Sequence, residues 1–544
     1  MIIRKKPARS HKLHEPIRHD GSHPRPVTRR DFLAQGFLAS QATLIGSSAM
    51  LGAFFNPRSV FASTTTLAGD ISTLQSSCGI VTNGAAKIPF ICFDLAGGAN
   101  LNGSEALVGG PGGQLDFLTT AGYGKLGLPG DMLPNSPNTA GGGNFVDTSL
   151  GMAWHSDGAI LRGIKSMASA ATMANTNGAV IAAMSQNDTQ NNPHNPMYGI
   201  YDAGANGSLL PLIGTMPTVS GGNSEAPSAL INLTVSPTVV TQSSNITGLV
   251  NTGQLGTIFS DPADAVSVLE STIRLSGGTT VGAYGGKLGA VTAMLDDPTT
   301  DAALKHAARC GYVKSAVLVN QFGDPASLNP DKDTQIVGAT NSIFTAAQYQ
   351  DNDFIMTAAV MKMVVNGLAG AGTVSLGGFD YHDSTRATGE SRNFQAGQAI
   401  GACLEYAKRV GVPLMIYVFS DGSLSSTGMI DTSAAGRGKF GWQGDNQATA
   451  ATFFLVYNPT GRPTVNPSAT TPNQIGSYTS DGSVNTTSSP AANAVNLLVN
   501  TVILNYMALH GQQGTFSSTI ANNGLGSNLE PLIAFEPVVN GVIS

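Results

Sequence analysis

Apolar residues in this chain fall into short continuous runs separated by helical repeats, and their alternation predicts a layered α/β fold. Residues 87–95 (Lys-Ile-Pro-Phe-Ile-Cys-Phe-Asp-Leu) are almost uninterrupted in apolar character and stop at Ala96-Gly97-Gly98. That is the pattern of a strand covered on both faces and ending in a tight loop. Residues 178–184 form a second such run, preceded by a helix-compatible stretch over 160–174. Within 351–368, Phe354, Ile355, Ala358, Met361, Val364, Val365 and Leu368 recur at helical spacing, and Gly-rich residues then lead to a third strand at 373–376. A helix over 393–410, capped by Gly411, precedes a fourth strand at 414–419. Repetition of strand, helix, strand predicts a mainly parallel central sheet with helices on both faces.

Three stretches depart from that rhythm. Residues 204–258 are rich in Ser, Thr, Asn, Pro and Gly and predict an insertion of loops and short strands. Residues 459–490 predict a long surface loop. Residues 491–510 are apolar enough to raise the question of a membrane span, which needs roughly 20 apolar residues. They lack flanking Lys and Arg and contain Asn and Tyr, so a core helix is expected.

The front of the chain has a different character. Arg29 and Arg30, followed by Asp31-Phe32-Leu33, stand after a long basic region and before a mildly apolar run over 37–55. This is the order of a twin-arginine export signal, with cleavage expected after Ala62 in Val60-Phe61-Ala62. Residues 1–62 are therefore expected to be a leader and 63–544 one α/β domain. The twin-arginine translocase is the expected partner, with a bacterial periplasmic or extracellular destination and no stable membrane anchor after cleavage.

Removing the leader changes the charge. It takes away ten of the 28 Lys and Arg but only three of the 34 Asp and Glu, leaving a net charge near −13. Such an acidic surface argues against nucleic acid as a partner. Charged residues make up only 11% of the chain against a typical ~25%, so the surface is polar but sparsely charged. Cys78, Cys92, Cys310 and Cys403 show no metal-ribbon spacing. They allow two disulfides in any of three pairings, with Cys92 more naturally a buried thiol.

Ligands of parallel α/β sheets gather beyond the carboxyl ends of the strands. Four loops qualify, around Asp94 and Gly97–Asn102, Asn187-Asp188 with His194, Gly377–Asp383, and Ser420–Ser423. Histidine is scarce, because His11, His14, His19 and His23 leave with the leader, yet His194 and His382 both sit in these loops. Asp380-x-His382 sets a hard oxygen beside a borderline nitrogen donor, a combination suited to a divalent cation.

Those motifs together resemble the domain of unknown function 1501 family. The likeness rests on the leader, Gly97-Gly98-Ala99-Asn100, Gly377-Gly378-Phe379-Asp380-Tyr381-His382, the Phe419-Ser420-Asp421-Gly422 segment and Gly441-Trp442-Gln443-Gly444-Asp445-Asn446. It runs over most of residues 85–460. The resemblance implies twin-arginine export and an alkaline-phosphatase-like fold, in a superfamily of metal-dependent phosphatases, sulfatases and phosphomutases. It also implies one mixed metal site drawn from Asp380, His382, Asp421, Asp445 and His194, for zinc, calcium, magnesium or manganese. Departures are plain: Asn100 stands where a carboxylate is usual, the family's Ser-His-Phe segment is matched only by His194, Leu424 replaces an arginine, and Asn446 replaces a histidine. No nucleophile is assigned, since Ser104, Thr189 and Ser420 each have an ordinary loop role. The expectations are a metal-dependent phosphate or sulfate ester hydrolase with an altered site, or a non-catalytic binding or cell-envelope assembly protein that keeps the fold.

The leader is directly testable. Changing Arg29→Lys together with Arg30→Lys is expected to leave uncut precursor in the cytoplasm, whereas the exported wild type begins at Ser63. Cell fractionation with N-terminal mass analysis checks both, and export of the double variant at the wild-type level would contradict the reading.

Overall fold

The computed structural model describes residues 87–185, 192–248, 262–277 and 328–539 except 339, together with Leu74, Cys78 and parts of 305–317. Arg29, Arg30, the cleavage point after Ala62, and Thr189 lie outside the described residues.

In chain order the first strands are β1 (Phe90–Leu95), β2 (Val146–Asp147), β3 (Trp154–His155), β4 (Thr176–Ala182), β5 (Leu210–Gly214) and β6 (Thr238–Val239). They are followed by β7 (Ala369–Leu376), β8 (Leu414–Ser420), β9 (Leu424–Ile430), β10 (Phe440–Asp445), β11 (Ala451–Tyr457) and β12 (Gln474–Ile475). Eight of them make one sheet in the order β12-β4-β11-β8-β1-β7-β5-β6. All neighbours in it are parallel except β11, which runs antiparallel to both β4 and β8. The mixed, mostly parallel α/β architecture thus agrees with the sequence pattern.

The reversed strand has a consequence for position. Because β11 starts where its neighbours end, the chain between β8 and β11 stays at the carboxyl edge. It is spent there on the antiparallel hairpin β9–β10.

Both sheet faces are covered, as the unbroken apolar runs require. Ile91, Phe93 and Leu95 enter one core with helices α1 (Ala159–Met167), α3 (Asn352–Val365) and α4 (Ala387–Val410). Phe90 and Cys92 enter the other with α2 (Met197–Asp202) and α5 (Val495–Ala508). Helix α5 is the core helix expected from 491–510, and no helix among the described residues is long and apolar enough to cross a membrane.

Three boundaries differ from the sequence reading. The Gly-rich residues before 373 belong to β7, which starts at Ala369. A side chain on Gly370 would meet the Ala205 carbonyl oxygen at 2.0 Å, and one on Gly372 would meet Val360 Cγ1 at 2.4 Å. Close packing, and not a turn, explains these glycines. Within 204–258, β5 pairs with β7 and widens the central sheet, and the surface loop expected over 459–490 likewise gives it the buried strand β12, paired with β4. One disulfide joins Cys78 to Cys310, while Cys92 and Cys403 are buried thiols.

Helices α1 and α4 cross at backbone contact. A Cβ on Gly163 would lie 2.2 Å from the Phe394 oxygen, and one on Gly397 would lie 2.2 Å from the Ile160 oxygen. Alanine at Gly397 is therefore expected to destabilise by about 1–3 kcal/mol through overpacking. This outcome opposes the ~1 kcal/mol that helix propensity alone would contribute. Urea unfolding of Gly397→Ala decides the sign.

Candidate metal centre at the carboxyl edge

The site is assembled around the turn that ends β1. Gly97 and Gly98 take φ values of +124° and +106°, which side-chain-bearing residues rarely adopt. A Cβ at Gly97 would also lie 2.5 Å from the Asp380 backbone nitrogen. Freed of side chains, the turn nests between the loops after β7 and β8. The Gly97 N–H donates to Asp421 Oδ1 at 2.8 Å, and the N–H groups of Gly98 and Ala99 donate to Ser420 Oγ at 3.1 and 2.7 Å. Phe379 N–H donates back to the Ala96 oxygen at 3.1 Å.

Asp380 and His382 emerge from the loop beyond β7, and Asp445 ends β10. One ligand atom from each lies within 4.8 Å of the others, and all three side chains are exposed. His382 Nε2 and Asp380 Oδ1 are 2.6 Å apart. Two carboxylates and an imidazole fit a divalent cation of oxygen and nitrogen preference, and three protein ligands leave coordination positions for water or a substrate oxygen.

Asp421 and His194 fall outside this group. Asp421 is buried, and besides Gly97 its Oδ2 accepts from Asn223 Nδ2 at 2.9 Å. His194 is buried against the Phe419 ring, 5.6 Å between centroids, with Nε2 2.9 Å from Ser185 Oγ. Burial pushes its imidazole down to about 3, so it is neutral. Asn192 Nδ2 ties the same region together, donating to Ser185 Oγ at 2.9 Å and to the Asp421 carbonyl at 2.7 Å. These residues brace the ends of β4 and β8. Of the sequence candidates for nucleophile, Ser104 is buried on Arg386 Nη2 at 2.8 Å, and Ser420 donates to the Leu95 oxygen at 2.6 Å.

The hairpin that carries Asp445 is held by a buried charge cluster. Lys439 Nζ, wholly buried just before β10, pairs with Glu390 at 2.8 Å and Asp157 at 3.3 Å. Glu390 on α4 also pairs with Arg386 at 2.9 Å and Arg162 at 2.5 Å. Burial would raise the Glu390 carboxyl, but Lys439 and Arg386 overcome it and hold the group low. Arg386 also lies over the Trp442 ring of β10, 4.5 Å from its centroid. Removing one partner of such a cluster leaves a buried charge uncompensated.

One acid was under-read in the sequence. Asp94 interrupts the apolar run of β1 and is fully buried, with Oδ2 accepting from the Ser224 N–H at 2.7 Å. Burial, with a contribution from the nearby Asp421 carboxylate, raises it from 3.8 to about 7. A charged residue inside an otherwise continuous strand is the signal that marks it.

That shift sets a pH dependence with a definite sign. The folded state holds the Asp94 proton that the unfolded chain releases near its ordinary value, so the contribution to stability is present at acid pH and is lost as pH rises from about 4 to 7. Asp94→Asn is expected to match wild type near pH 4 and to exceed it by roughly 1–3 kcal/mol at pH 8. Denaturant unfolding at the two pH values checks this; a larger gain at pH 4 would contradict it.

Comparison with protein-family models, with curated proteins and with solved structures finds no match for the chain.

Proposed function

We propose that the protein is an exported, cation-dependent hydrolase of phosphate or sulfate esters, with its single cation held by Asp380, His382 and Asp445. The observation that carries the reading is the convergence of these three residues, from two separate loops, beyond the carboxyl ends of a mostly parallel sheet. Family resemblance supplies the reaction class, and an alkaline-phosphatase-like identity for the α/β fold belongs to the same proposal. When bound, the cation would polarise an ester oxygen and offset charge developing on it. The chain's own part is positioning: the Gly97–Gly98 turn fixes the Asp380 loop, and the Lys439–Glu390 cluster fixes the Asp445 hairpin. The Cys78–Cys310 disulfide supports export, since such bonds persist in oxidising compartments.

A second reading, a non-catalytic binding or cell-envelope assembly protein, is favoured by the internal hydrogen bonds of Asp421 and His194, which leave three exposed ligands.

Metal analysis and an ester-hydrolysis screen on the exported protein separate the two. The hydrolase reading expects about one tightly held divalent cation per chain. It expects Asp380→Ala to lose more than the roughly 10–100-fold in affinity that an outer-shell loss costs, together with the activity. Because Asp380 is exposed, unfolding of the variant is expected to match wild type when both are stripped of cation with a chelator. Cation binding without hydrolysis of any phosphate or sulfate ester favours the second reading, and no cation binding removes the first.

A further inference from the structure

We propose that Cys78 and Cys310 are joined after export by exchange with a disulfide oxidant, and that His306 accepts the Cys310 proton in that exchange. The timing rests on the export reading; the role of His306 does not.

The bond joins residues 232 apart in sequence. Leu74 is wholly buried in the core that also contains residues of α1, α3 and α4, and Cys78 N–H donates to the Leu74 oxygen at 3.1 Å. The disulfide thus pins a turn near the front of the exported chain to a helical segment at 309–313. One turn before Cys310 on the sequence, His306 places Nε2 3.6 Å from Cys310 Sγ. The other two cysteines contrast with this pair. Burial raises Cys92 to about 12 and holds Cys403 higher still, so neither forms a thiolate near neutral pH.

The chemistry balances with one oxidant. Cys310 gives its thiol proton to His306 Nε2, and the thiolate attacks the oxidant's disulfide, forming a mixed disulfide and releasing one oxidant thiol. Cys78 then attacks Cys310 Sγ, forming the intramolecular bond and releasing the second oxidant thiol. Two electrons pass to the oxidant, and its two sulfurs leave as thiols with the two protons. Cytoplasmic thiols are kept reduced, and a twin-arginine substrate crosses folded, so the bond closes on a chain whose core already exists.

The test uses the full-length chain, reduced and then re-oxidised with oxidised glutathione, with alkylation and peptide mass mapping over time. One disulfide, Cys78–Cys310, is expected to re-form, with Cys92 and Cys403 alkylated only after denaturation. His306→Gln is expected to slow re-formation about five- to tenfold at pH 7, the gain in thiolate being partly offset by its lower nucleophilicity. The difference is expected to vanish near pH ~9.5, where the thiol ionises unaided. An unchanged rate at pH 7, or a slowing that persists at high pH as misplacement would cause, overturns the role of His306. In cells, precursor retained by Arg29→Lys and Arg30→Lys is expected to carry four thiols and exported protein two. A disulfide already present in the retained precursor overturns the timing. Export of that variant instead overturns the leader reading and leaves the glutathione rates to judge His306.

Discussion

The turn at Gly97 and Gly98 is the constraint on which the carboxyl edge depends. A residue with a Cβ at Gly97 would collide with the Asp380 backbone at 2.5 Å, and the positive φ of both residues excludes most alternatives. Once the turn is made, its N–H groups need partners, and Asp421 and Ser420 supply them. The loops after three adjacent parallel strands, β1, β7 and β8, are thereby locked to one another. Asp380 and His382 project from that block.

Asp445 reaches the same place by a different route. Reversal of β11 keeps the chain at the carboxyl edge between β8 and β11, and the hairpin built there is fastened through Lys439, Glu390 and Arg386. Burying these charges is costly, and they are retained as a mutually compensating set. Cluster and turn act on different ligands, the one holding the hairpin of Asp445 and the other the loop of Asp380. Loss of either would separate the three ligands without touching them.

The sheet was legible in the sequence because strands buried on both faces read as unbroken apolar runs: β1, β4 and β8 all fall on such runs. Strand β7 was half hidden, since Gly370 and Gly372 answer to neighbours distant in sequence, Ala205 and Val360. In the site, Asp380 and His382 share a short segment and were visible together. Asp445 was found through the family resemblance, and its meeting with them depends on a hairpin that no local pattern announces. Asp421 and His194 have the chemistry of ligands but are drawn inward by Gly97, Asn223 and Ser185, partners that only the fold supplies. Asp94 shows the converse case, a residue whose oddity within β1 was plain although its elevated proton affinity arises from burial and Asp421.

The central claim is that one cation sits between Asp380, His382 and Asp445. Anomalous diffraction from crystals of the exported protein grown with zinc tests it most directly. The account predicts one peak at about 2.0–2.2 Å from a ligand atom of each of the three residues. No peak there, or a peak placed between Asp94 and Asp421 instead, would contradict it.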